Sequence, residues 1–79
     1  MNEYIATFYT HAEAIVSHRS LTEAGLTARM MPVPRKLSSS CGTCVRYESE
    51  TPVKALLTEF EAIYRVGENG YEIAEEGIP

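Results

Sequence analysis

Thr51-Pro52-Val53-Lys54-Ala55-Leu56-Leu57-Thr58-Glu59-Phe60 is the stretch on which the fold turns. A threonine followed at once by a proline reads as a helix start. The hydroxyl can accept an orphan N–H of the first turn, and proline lacks the N–H that the first helical position leaves unused. The expectation is a second helix over residues 52–60.

Working outward, residues 44–48 alternate in character and predict a short strand before this helix, and residues 62–66 predict one after it. Gly67-Glu68-Asn69-Gly70 is a turn leading to a minor extra strand at 71–74, with the tail to Pro79 expected to be loose. Toward the N-terminus, residues 3–9 predict a mostly buried strand, with Tyr4, Ala6 and Phe8 on one face and Ile5, Thr7 and Tyr9 on the other. Thr10-His11-Ala12-Glu13 fits a capping box and opens a helix over 10–24. Its apolar seam is Ala14, Ile15 and Leu21, and Gly25 stands where a left-handed residue ends it. Residues 26–33 predict a strand stopped by Pro32 and Pro34, and 35–43 a loop.

The predicted order is βαββαβ. The simplest packing is an α+β, ferredoxin-like arrangement, a four-stranded antiparallel sheet with two helices on one face. The other face is left open. Apolar residues on both faces of the first strand, with five tyrosines in the chain, predict that a second copy covers it as a homodimer.

At 79 residues and 44% hydrophobic the chain supports one core, which excludes a multi-domain enzyme and a deep enclosed cleft. No apolar run approaches the roughly 20 residues that span a bilayer, and Met1-Asn2-Glu3-Tyr4 does not open a secretory signal, so no membrane association and a cytoplasmic location are expected. A net charge of −4, with eleven acidic residues, argues against nucleic acid as a partner. Yet the charge is uneven: the acid-free stretch 24–47 holds Arg29, Arg35, Lys36 and Arg46, whereas Glu68, Glu72, Glu75 and Glu76 make the tail acidic.

Within that acid-free stretch lies Ser38-Ser39-Ser40-Cys41-Gly42-Thr43-Cys44. Nearby positive charge favours the thiolate, the form that attacks electrophiles or carries transferable sulfur. Cys41 is the candidate carrier thiol. Ser38, Ser39, Ser40 and Gly42 are small enough to let a reagent approach, and with Arg35 and Lys36 they are the candidate ligand-binding residues for an anionic sulfur or a neighbouring anion. Cys44 is either a resolving thiol or a small buried residue opening a strand. The Cys41-Gly42-Thr43-Cys44 spacing also matches a dithiol redox motif, but a strand follows it, so no helix dipole lowers the first thiol. No cofactor and no metal are expected, since two cysteines and the scattered His11 and His18 are not four tetrahedral ligands. Two chains could still supply a four-cysteine site. His18 falls beside the helix seam as a core or boundary histidine, His11 is exposed, and Met30 and Met31 alternate between core and surface.

Pro32-Val33-Pro34-Arg35-Lys36-Leu37-Ser38-Ser39-Ser40-Cys41-Gly42 resembles a family of small bacterial domains described as putative Se/S carrier protein-like. Thr7-Phe8, Ala24-Gly25, Arg46-Tyr47 and Ile63-Tyr64-Arg65 are its further anchors. The resemblance implies a single domain over residues 1–67, with 68–79 as an acidic extension, and sulfur or selenium held on Cys41 as a persulfide or selenopersulfide. A donor enzyme or acceptor protein is the implied partner, and the chain is a carrier or accessory protein rather than a stand-alone enzyme. Two positions depart from the family pattern: Cys44 replaces an aliphatic residue and His18 an acidic one. A second reading of the same residues is a non-enzymatic binding module whose basic loop recognises an anionic ligand or partner.

Overall fold

A computed structural model describes residues 1–77. Its elements are β1 (Asn2–Phe8), α1 (His11–Glu23), β2 (Ala28–Pro32), β3 (Thr43–Ser49), β4 (Phe60–Gly67) and β5 (Gly70–Glu76). All strand pairs are antiparallel, in the order β2-β3-β1-β4-β5. The end of the tail, Ile78 and Pro79, lies outside the described residues.

The first half forms as its local chemistry dictates. Thr10 Oγ1 accepts from the Glu13 N–H at 3.2 Å while the Glu13 carboxylate accepts from the Thr10 N–H at 3.1 Å, completing the capping box. Beyond the C-terminus of α1, Gly25 takes φ 87°, a conformation that favours glycine. The buried seam of α1 is Ala14, Ser17 and Leu21, and Ile15 is 40% exposed instead. Two small residues in that seam let the helix approach the sheet closely.

The core lies between α1 and one sheet face, built from Tyr4, Ala6 and Phe8 of β1, Val45 and Tyr47 of β3, and Ile63 of β4. Cross-strand register lines these residues up: Ala6 faces both Val45 and Ile63, and Tyr4 faces Tyr47, their rings stacked at 5.5 Å. Met30 packs against this cluster, whereas Met31 pairs with Cys44 on the opposite face.

The four-stranded, two-helix ferredoxin-like arrangement is overturned: the sheet has five antiparallel strands, and α1 is the one α-helix among the described residues. Where the second helix was expected, only a 3₁₀ turn at Lys54–Leu56 forms. The backbone groups on either side of it are claimed by side chains from elsewhere. The Tyr47 hydroxyl donates to the Pro52 carbonyl, and the Thr58 N–H donates to Ser17 Oγ of α1 at 3.0 Å. Phe60, the last residue of the expected helix, instead begins β4 opposite Phe8. Leu56 and Leu57 still reach the core, from the end of that turn and the bend after it.

β5 is longer than the minor strand expected, and it completes the sheet edge along β4. On the face away from α1, Ile5, Thr7 and Cys44 are already buried within one chain. The expectation of a homodimer therefore rests on the half-buried Met31, Tyr64 and Tyr71 and on Ile73, 56% exposed. No helix among the described residues is long and apolar enough to cross a membrane.

Candidate functional site

The cysteine loop is the connection of the β2–β3 hairpin. Pro32 pairs with Thr43, and the Val33 N–H donates to the Gly42 carbonyl at 3.1 Å, closing the hairpin. Gly42 adopts φ 73°, a conformation that favours glycine at the turn from Cys41 into β3. A tight turn at the other end of the loop, Leu37 N–H to Pro34 carbonyl at 3.0 Å, displays Arg35 and Lys36 in solvent.

The two thiols are free and chemically unequal. Cys41 is half-buried, packs against the core cluster, and its Sγ lies 3.3 Å from the Thr43 carbonyl oxygen. Cys44 is fully buried as the second residue of β3, with its Sγ 3.7 Å from the Pro32 carbonyl oxygen. Burial pushes the Cys44 thiol up to about 11, the neighbouring Cys41 adds to the rise, and Arg46 offsets part of it. Cys41 is thus the less buried of the two thiols.

The candidate ligand-binding residues share the loop between β2 and β3. Ser38 is exposed. Ser39 donates its hydroxyl to the Phe8 carbonyl at 3.1 Å, pinning the loop to the end of β1. Ser40 donates both its N–H, at 3.2 Å, and its hydroxyl, at 2.7 Å, to the Glu61 carboxylate of β4. Two of the three serines are therefore occupied by the protein itself.

Of the four basic residues in the acid-free stretch, Arg46 is bound to Glu3 at 2.7 Å and holds that carboxyl below its usual range, with a smaller contribution from Arg29. Only Arg35 and Lys36 remain on the loop. Glu61 is the residue that sequence reasoning missed. Nothing local announces it, because it reaches Ser40 across 21 residues of sequence. His11 is exposed, with Nδ1 3.3 Å from Thr43 Oγ1 at the base of the loop, and His18 Nε2 lies 3.1 Å from the Ala28 carbonyl. Among the described residues no three His, Cys, Asp or Glu side chains converge to hold a metal ion. A four-cysteine site between two chains would need Cys44 at a surface, where it is not.

Residues 3–66 match the family described as "Putative Se/S carrier protein-like". The chain belongs to that family. The match spans β1 through nearly all of β4, and includes the whole cysteine loop. An uncharacterized protein of Escherichia coli strain K12, YtiA, is 33% identical over 45 residues, which cover 57% of this chain and 53% of that protein. The chain spans about half the length of that curated relative. No solved structure matches the chain.

Proposed function

We propose that this member of the family carries sulfur or selenium on Cys41 and passes it between a donor and an acceptor protein. The observation that carries the reading is the inequality of the two thiols: Cys41 is reachable in a short loop, and Cys44 is sealed in the sheet with its thiol pushed up to about 11. Family membership supplies the chalcogen.

Loading follows ordinary thiol exchange. The Cys41 thiolate attacks the outer sulfur of a donor persulfide, the donor's S–S bond breaks, and the donor sulfur leaves as a thiolate with the electron pair. Cys41 is left as a persulfide, with no net oxidation or reduction. Delivery is the same step with Cys41 as the leaving thiolate. Against a dithiol redox role stands Cys44, a poor thiolate whose thiol is directed to the Pro32 carbonyl.

Incubation with a cysteine desulfurase and cysteine, followed by intact-mass measurement, tests the reading. One sulfur that is removed by reductant should appear on the native chain and be absent from Cys41→Ser. An increment that survives Cys41→Ser, or no increment at all, sinks it.

A further inference from the structure

Glu61 occupies an irregular place in the sheet. Along β1 and β4, Thr7 pairs with Ala62 but Phe8 pairs with Phe60, so Glu61 is the extra residue of a β-bulge. Bulges re-aim a side chain that regular pleating would direct elsewhere. Here the re-aimed carboxylate reaches Ser40, immediately before Cys41, and accepts from both its N–H and its hydroxyl. The Glu61 carbonyl also accepts from the Gly77 N–H at 2.9 Å, fixing the bulge from its other side.

From this geometry we infer that Glu61 is a positioning and selectivity residue for Cys41. It fastens the loop and holds a negative charge on Ser40, the residue before the thiol, where the basic and serine-rich sequence would by itself receive an anion. An incoming anion has to displace a carboxylate already hydrogen-bonded in place, and the thiolate's attack on an anionic reagent meets added repulsion. The inference rests on the carrier reading of Cys41 and narrows its donor. The cargo comes from a persulfide held on another protein, whose own surface can complement Glu61, and not from a small dianionic oxyanion such as thiosulfate.

The test compares alkylation of Cys41 in the full chain by iodoacetate, an anion, and by neutral iodoacetamide, with the labelled cysteine located by peptide mass. Both reagents meet the same thiolate population, so the ratio of their rates cancels any change in thiol acidity or loop opening. A purely structural role for Glu61 would leave that ratio unmoved. Glu61→Gln should raise the iodoacetate-to-iodoacetamide ratio about threefold, the scale of one unit charge acting across a partly wet surface. An unchanged ratio in a folded Glu61→Gln protein overturns the inference. Should that variant fail to fold, the unsubstituted chain decides: its ratio should rise with added salt more steeply than that of N-acetylcysteinamide, whose thiolate is the one charge present. A slope no steeper than that reference overturns the inference. If the ratio behaves as expected but Cys41 accepts no sulfur, the carrier reading fails and the role of Glu61 stands. If sulfur loads but the ratio is unmoved, the Glu61 inference alone fails.

Discussion

Two cysteines three positions apart behave as different chemical groups, because Cys41 lies in a hairpin loop and Cys44 in a buried register position opposite Met31 and Thr7. The raised pKa of Cys44 has a consequence for stability. Above the ordinary thiol range the unfolded chain loses the Cys44 proton while the folded chain keeps it. The contribution is therefore fully present below that range and is lost as pH rises toward about 11. It amounts to about 2 kcal/mol. The buried Tyr47 hydroxyl, also pushed up by burial, acts in the same direction. Denaturant unfolding at about pH 8 and about pH 11 should show Cys44→Val losing less stability across that interval than the native chain, by about 2 kcal/mol. Equal losses would show that Cys44 is wetter than its position implies. The sequence made both sulfurs visible but could not rank their acidity, because Cys44 is buried by neighbours from β1 and β2.

At the level of elements, α1 was legible because its start is written in four consecutive residues, and the region after β3 was misread for an equally local reason. Thr51-Pro52 is a competent helix start, but an isolated helix of nine residues is marginal in water and survives only where packing supports it. Here Tyr47, Ser17 and Phe8 draw Pro52, Thr58 and Phe60 into other bonds. The resulting path forces Val53 to φ 46° and Glu59 to φ 36°, both in the left-handed region that side chains with a Cβ resist. Glu59 is exposed, so Glu59→Gly should relieve strain and raise unfolding stability by about 1 kcal/mol in a denaturant titration. Val53→Gly should gain less or lose, because Val53 packs against the core. Thr10→Ala, which removes the accepting side of the capping box, should cost about 1 kcal/mol in the same measurement.

For the whole molecule, β5 lengthens the minor strand expected at 71–74 to Gly70–Glu76. Residues 68–79 read as an acidic extension, and the family match stops at residue 66. Yet β5 pairs with β4 from Gly67↔Gly70 to Ala62↔Glu76, Lys54 bonds Glu75 at 3.2 Å, and Ala74 packs against the core. A chain ending at Gly67 should lose cooperative unfolding or aggregate, because β4 becomes an uncovered edge beside Ile63. Urea titration with sedimentation of the truncated chain checks this, and a monomer of native stability would restore the reading of a separable extension. Gly77 gives a finer probe of the same strand end. A Cβ there would overlap the Phe60 carbonyl oxygen, so Gly77→Ala should lower the unfolding midpoint and detach the end of β5 from the Glu61 bulge.

The sequence by itself determined the strands β1, β2 and β3, the capped helix between β1 and β2, and the loop that holds Cys41. Each is encoded in residues close enough along the chain to contact one another. Only the tertiary structure decided the fate of residues 52–60, the length and place of β5, the burial of Cys44 and the carboxylate bound to Ser40. All four depend on partners brought from a distance by the sheet order β2-β3-β1-β4-β5. That order carries Glu61 to Ser40, so a loop without an acidic residue of its own in the sequence folds against one.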